Sequence, residues 1–584
     1  MSPRHLKYAT WEELFGTRPT YEQLLREIHM LDPGTVIPTL AWIDLLLVLD
    51  RFHSDETQTH EVQTYLVNRF VDDDLFARLK AAYGHEQLVV RRPFHSRQVL
   101  TLMKTILAET SNIGRPQPFT DSESAYRLGR CLIMANDFLV TPQNISAISP
   151  NRPPSERKIA LQLQVGSGLE INNPPPIHTS IVRSDMIFGH IASTSPGSLD
   201  LRNAFHRERG MTIEEYVDHL LAVLTYYITL DFRKLIDDPG LACVDTNIFF
   251  SQGPREASEG FWRIERTTVE ALQSSIRSHA GLTLHQDFIA FREKPFLETM
   301  NGNVIPLHLG FVQEQLESGL FWTILNSIEG EKDRHRLFTD WGHLFEQYVS
   351  QMMAECLRAS GESYLAFARF SDKDEEAFDG IVSAGDCLVV MEYKGGFLSA
   401  NAKYAENENE FTRDLDRKFG SEKGAGIEQL VRKLAALFAE APEHRRHIDG
   451  LDTSNTRIVI PVLIVQDSFV SSELTASYLA DVFGALLNRE RIDPRVACIF
   501  PLVLDVSDLE ALRPFLAAGE ISFGDCLRDR ARLGSGVLPF RDFFQFYRAS
   551  RNVRWVPDDN TMHRFTEIMD RLSIRFFKKP LEAA

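Results

Sequence analysis

The stretch that most constrains this chain runs from Phe378 to Gly396, FDGIVSAGDCLVVMEYKGG. Two apolar runs flank a turn near Ala384–Asp386, which predicts a β-hairpin. One acid, Asp379, stands near the start of the first strand, and an acid–x–lysine triplet, Glu392-Tyr393-Lys394, ends the second. Side chains alternate along a strand, so Leu388, Val390, Glu392 and Lys394 share one face and Val389, Met391 and Tyr393 the other. That strand is apolar on both faces until its end, which predicts burial. A carboxylate and an ammonium there cost free energy unless paired or metal-bound. An antiparallel hairpin brings Asp379 back beside Glu392, and two adjacent carboxylates repel unless a cation sits between them. Oxygen ligands suit Mg2+ or Mn2+. Lys394 beside such a cation would orient or deprotonate a water and stabilise charge developing on a phosphate. A structural ion pair is the alternative that needs no catalysis.

Around the hairpin the chain divides by pattern. Residues 1–145 place apolar side chains at helical spacing in segments such as YEQLLREIHML and TLAWIDLLLVLDRF, and predict a helical domain. Residues 146–180 carry two proline clusters with KIALQLQVGSG between them, and predict an extended linker holding one strand. Residues 181–335 are mixed: one long helix over 211–236, strands at TNIFF, DFIAFREKPFLE and NVIPLHL, and a helix over 311–328. Residues 336–506 predict a helix over 340–358, a strand at 364–370, the hairpin, a charged mobile loop over 405–426, a helix from Ile427, and a buried strand at 457–467. A helix over 471–488 and a strand at 496–506 follow. Helix–strand–strand–strand–helix–strand is an α/β sandwich order. Residues 507–584 predict a helical tail with mixed basic and aromatic side chains.

Bulk properties narrow the function. A length of 584 residues suits several domains. No apolar run approaches the ~20 residues that span a bilayer, and MSPRHLKYATWEELFG lacks the apolar centre of a secretory signal, so a cytoplasmic protein is expected. The six cysteines are scattered singly, which argues against a zinc knuckle or a disulfide framework. The net charge of −18 repels phosphate, so a nucleic-acid enzyme of this composition needs a local basic track, a divalent metal or a basic partner. Between Arg413 and His447 bases outnumber acids 8 to 6. Arg413, Lys418, Lys423, Arg432 and Lys433 are therefore the candidates to line a nucleic-acid groove, with Arg91-Arg92 and the basic tail as further candidates.

The pattern Asp379-x12-Glu392-x-Lys394, behind one helix and ahead of another, resembles the PD-(D/E)xK nuclease superfamily over residues 336–506. Phe378 stands where the family often has proline. The resemblance implies a restriction-endonuclease-like αβββαβ core, here with a large helical N-terminal region and a helical C-terminal tail. It implies Mg2+ (or Mn2+) held by Asp379 and Glu392, joined by the backbone carbonyl of Tyr393, with Lys394 assisting the nucleophilic water. The family's acid on the preceding helix corresponds to Glu346 in WGHLFEQYVSQMMAECL, with Glu355 as its rival on the same helix. The glutamine that some relatives carry on the following helix corresponds to Gln429, for which a plain solvated face is the other reading. The activity implied is phosphodiester hydrolysis, DNA favoured over RNA. With no Walker A pattern in the chain, the architecture is similar to that of components of prokaryotic defence or repair systems gated by an ATPase or sensor partner; a homo-oligomer fits as well. A non-catalytic, nucleic-acid-binding scaffold that keeps the fold is the competing expectation.

Overall fold

The computed structural model describes residues 9–53, 61–84, 93–111, 122–139, 151–172, 175–192, 201–251, 253, 255–279, 282, 285–299, 302–358, 361–372, 375–534 and 538–577. Arg91-Arg92 lie outside the described residues. The chain is mixed α and β, with two sheets among many helices.

Among the described residues before 140 the elements are all helices. Their central helix α1 (Pro33–His53) is long and apolar enough by composition to cross a membrane, against the expectation that no run approaches that length. It is instead a core helix here: Ile37, Leu40, Ile43 and Leu46 are fully buried, and Asp44 in its middle bonds to His308 Nδ1 at 2.6 Å.

Residues 154–172, expected as extended chain with a strand, form helix α2 (Pro154–Asn172). Pro154 sits at its first position, where an N–H is not needed and the fixed φ favours the helix. Ile159 and Leu163, one turn apart, seat α2 in the core beneath the larger sheet. The single helix expected over 211–236 is two, Ile213–Ile228 and Phe232–Asp237, because Asp231 turns out to cap the Arg233 N–H at 2.9 Å. A small sheet has the order β1–β4–β3–β2, from β1 (Val244–Asp245), β2 (Arg266–Thr267), β3 (Phe296–Glu298) and β4 (Asn303–Pro306). The strand expected at TNIFF is a turn: the Asp245 side chain accepts from Asn247 N and its carbonyl from Phe249 N, which closes the chain locally. The first half of DFIAFREKPFLE is likewise helical, over Ile289–Glu293, and only its end joins the sheet as β3.

The larger sheet follows helix α3 (Glu331–Cys356). Its strands are β5 (Ser363–Phe370), β6 (Glu375–Ala384), β7 (Cys387–Lys394), β8 (Ile458–Val465), β9 (Ala497–Cys498) and β10 (Leu502–Asp505), in the order β10–β8–β7–β6–β5, with β9 also on β8. β5, β6 and β7 pair antiparallel; β7–β8 and β8–β10 pair parallel. The strand expected over 496–506 is split in two at Pro501, which has no N–H for a ladder. The segment expected as a mobile loop contains helix α4 (Glu408–Lys418), opened by Asn407, whose side chain accepts from the N–H groups of Asn409 and Glu410. Helices α5 (Gly426–Leu437) and α6 (Glu473–Leu487) then flank β8 in sequence.

Both faces of the sheet are covered. Val389, Met391 and Tyr393 face α3 and α7 (Val506–Ala517), in a core continuous with the N-terminal helices and the small sheet. Leu388 and Val390 face α5 and α6 in a second core that includes Ile159 and Leu163 of α2. The regions before residue 336 thus share one continuous apolar core with one face of the larger sheet. The C-terminal residues form further helices, in which Phe540, Phe543, Phe544 and Tyr547 of the basic, aromatic segment are buried while Phe546 and Trp555 are exposed.

Candidate functional site

The β6–β7 ladder runs from Ala384↔Cys387 to Gly380↔Met391 and stops. One step further, in the same register, Asp379 faces Glu392. The ladder gives way there to a bond from the Tyr393 N–H to Asp379 Oδ2 at 2.6 Å. The N–H and C=O of one strand residue point to the same neighbour, so the Tyr393 carbonyl is turned toward β6 as well. Asp379 is 2% and Glu392 1% exposed. Two carboxyls are therefore buried side by side where the hairpin opens.

Each carboxyl is compensated in its own way. Glu392 is held by two ammonium groups. Lys433 Nζ, on α5, pairs closely with Glu392 Oε1, while Lys394 Nζ stands 3.5 Å from Oε2. The shorter bond of Lys394 goes to Gln429 Oε1 at 2.6 Å. Gln429 and Lys433 lie one helical turn apart on α5, so one face of that helix serves both. Among the described residues no cation pairs with Asp379 in this way. Burial, then the neighbouring Glu392 carboxylate, push its carboxyl well above the ordinary aspartate range, and a hydrogen bond with Glu376 adds to the effect. Burial also works to raise Glu376, but that hydrogen bond and the fields of Lys433 and Lys394 hold it below its ordinary value. That contact favours the neutral form of Asp379 and the charged form of Glu376. Glu376 reaches this position beside a register shift: the β5–β6 ladder slips by one residue between Ala368 and Arg369, where Ala377 is the extra residue on β6.

Glu346 comes from the other layer. Gly395 makes this approach possible, since a Cβ there would stand 2.8 Å from Phe345 Cβ on α3. The helix is fixed over the end of β7 by Trp341 Nε1, which donates to the Gly395 carbonyl and to Gln466 Oε1, both at 3.0 Å. Glu346 bonds to His343 at 3.1 Å. Burial raises its carboxyl, and the Lys394 ammonium acts on it in the opposite sense. Burial alone would lower the Lys394 ammonium, but Glu392, Asp379 and Glu346 outweigh it and raise the group above the ordinary lysine range. Lys394 is therefore a cation at neutral pH, suited to orienting and charge-balancing rather than to taking a proton. Glu355, the rival acid, points instead to the C-terminal helix, near Asn560 and Arg564.

Gly426 does on the α5 side what Gly395 does on the α3 side. A Cβ there would meet Leu463 Cδ1 at 2.6 Å and Lys394 Cγ at 3.5 Å. The missing side chain lets the start of α5 lie against β7 and β8, which sets Gln429 over Lys394.

The groove candidates part company. Lys433, expected to line a nucleic-acid surface, is 4% exposed and sits inside the cluster, 5.9 Å from the centroid of the Phe378 ring. Arg413 pairs with Glu410 at 2.5 Å, and Lys418 with Asp414 at 2.9 Å and the Phe397 carbonyl at 2.6 Å. Arg432 pairs with Glu375 at 3.2 Å and Glu428 at 3.5 Å. Arg413, Lys418 and Arg432 thus each meet a carboxylate one helical turn away. Lys423, in the loop just before α5, is exposed with no ion pair among the described residues.

Among the described residues no group of three or more His, Cys, Asp or Glu side chains is gathered as a ready metal cage. The donor set that is present, two buried carboxyls and a strand-end carbonyl, suits Mg2+, which keeps several waters and takes one or two carboxylates with substrate oxygens. Acid also exceeds base in the cluster, with Asp379, Glu392, Glu376 and Glu346 against Lys394 and Lys433. The chain matches no family model, no curated protein and no solved structure among those compared.

Proposed function

We propose that this chain is a metal-dependent nuclease of the PD-(D/E)xK type that hydrolyses phosphodiester bonds, with DNA as the favoured substrate. The observation that carries the reading is the meeting of Asp379, Glu392, Lys394, Glu346 and Gln429 at the open end of two buried strands. The order α3–β5–β6–β7–α4–α5–β8, with α4 as an added helix, supports the restriction-endonuclease-like core that the resemblance implies. Asp379 and Glu392 would hold Mg2+ or Mn2+, with the Tyr393 carbonyl beside them. Bound there, the cation would supply Lewis acidity toward a phosphate oxygen and an activated water. Lys394, an ammonium fixed by Gln429, orients the attacking water and balances the charge that grows on the phosphate. Glu346 holds water at the mouth of the site. The helical mass before residue 336 is, on this reading, where an ATPase or sensor partner gates cutting in a cytoplasmic anti-phage or repair system.

The engagement of both Glu392 oxygens by ammonium groups favours a second reading, a non-catalytic scaffold that keeps the fold. Nicking of supercoiled plasmid in Mg2+ or Mn2+ separates the two. The nuclease reading expects cutting that chelator abolishes and that Asp379→Ala, Glu392→Ala and Lys394→Ala each remove. The scaffold reading expects Lys394→Ala to behave as the parent does in every assay.

A further inference from the structure

We propose that Lys433 is a resting counter-ion that a divalent cation must displace from Glu392, so that lysine and metal compete for one carboxylate. The inference rests on the reading of Asp379 and Glu392 as cation ligands.

Glu392 is buried in a strand with apolar neighbours on both sides and needs a positive charge close by. The lysine of the E-x-K triplet is not its main partner. Lys394 Nζ bonds to Gln429 at 2.6 Å and reaches Glu392 only at 3.5 Å. Lys433 makes the close contact, from a helix face that carries it inward instead of to solvent. It occupies Oε1, one of the two oxygens that Glu392 can offer a cation. Like charges in so small a buried space exclude each other. Lys433 also has a second place to go. Glu376 Oε1 lies 3.8 Å from its Nζ, on a side chain that is half exposed. An ammonium released from Glu392 can therefore move to Glu376. The cluster exchanges partners within one set of residues, and no charge is left alone in either state.

This sets the direction of a test. Removing Lys433 removes the competitor, so a divalent cation binds more tightly. Titration calorimetry with Mn2+ alone, on the full chain at pH 7.5, compares the parent with Lys433→Met. The variant is expected to bind at least tenfold more tightly, with one cation per chain in both. Should methionine unfold the packing of α5, Lys433→Gln, which still donates a hydrogen bond to Glu392 but carries no charge, makes the same comparison. Parent-like affinity in a folded variant overturns the counter-ion role while leaving the metal site in place. Weaker binding overturns it too, since Lys433 would then be a support that positions Glu392 for the cation. No Mn2+ binding by parent or variant overturns the cation-ligand reading itself.

Discussion

The Asp379 carboxyl gives the sharpest consequence of this geometry. It is buried beside Glu392, and its neutral form is favoured well above the ordinary aspartate range. A group whose folded pKa is raised in this way holds a proton that the unfolded chain has already released. The sign follows: stability from this group is fully present below the ordinary aspartate pKa of about 3.9 and is lost as pH rises from there through the folded pKa, at up to about 1.4 kcal/mol per pH unit. A cation bound between the two carboxyls reverses the balance, because it requires the proton to leave. Asp379→Asn fixes the neutral state. The amide oxygen still accepts from the Tyr393 N–H, the charge is gone, and the cation loses a ligand. At a hundredfold excess over its dissociation constant, a cation stabilises the parent by about 2.7 kcal/mol. If the larger sheet and its helices unfold as one unit of ordinary domain size, that corresponds to roughly 5–10 °C. The assay is thermal unfolding from pH 5 to 8 with and without Mn2+. The cation-free variant is expected to lose less stability than the parent as pH rises, and to gain almost nothing from Mn2+. Equal pH profiles together with equal gains from Mn2+ would refute the argument that Asp379 is a protonated ligand in waiting.

Three further outcomes follow from single contacts. Gln429→Ala leaves Lys394 Nζ without its 2.6 Å partner; at roughly 1.5–3 kcal/mol for a hydrogen bond to a charged group, steady-state kinetics should show kcat falling about 10- to 100-fold with KM little changed. Gly426→Ala drives a methyl against Leu463, which should cost about 1–3 kcal/mol in a denaturant melt and lower cutting as well by shifting Lys394. Lys423→Ala should reduce the slope of log affinity for duplex DNA against log salt by about one, whereas Arg413→Ala, already neutralised by Glu410, should reduce it by less; fluorescence anisotropy in Ca2+ measures both.

Much of the site was legible from strand periodicity. Alternation alone puts Glu392 and Lys394 on one face, and a hairpin with its turn near Ala384–Asp386 returns Asp379 to Glu392; the observed register has that form. The resemblance favoured Glu346 over Glu355; what it could not supply was the direction of α3 over the Gly395 backbone, because a helical wheel does not say which end of a sheet a helix covers. Lys433 was hidden for a related reason. Charged side chains on a helix read as a solvated face, yet here that face closes on a buried carboxylate, and the one sequence signal was its spacing of one turn from Gln429. Glu376 left no signal at all, since the slip at Ala377 that accompanies its approach to Asp379 is a property of the β5–β6 pairing. The misread segments have local causes as well. Prolines near residue 154 signal extended chain by composition but sit at a helix start in fact, and the Asp245 turn and the Asp231 cap override apolar patterns that run straight through them.

Anomalous diffraction from crystals grown in Mn2+ shows whether Asp379 and Glu392 share one divalent cation. A manganese peak is expected within about 2.0–2.6 Å of a carboxylate oxygen of each residue, with Lys394 still bonded to Gln429. A saturating cation found elsewhere, with Asp379 still bonded to Glu376 and Glu392 still clamped by its two lysines, would contradict this expectation.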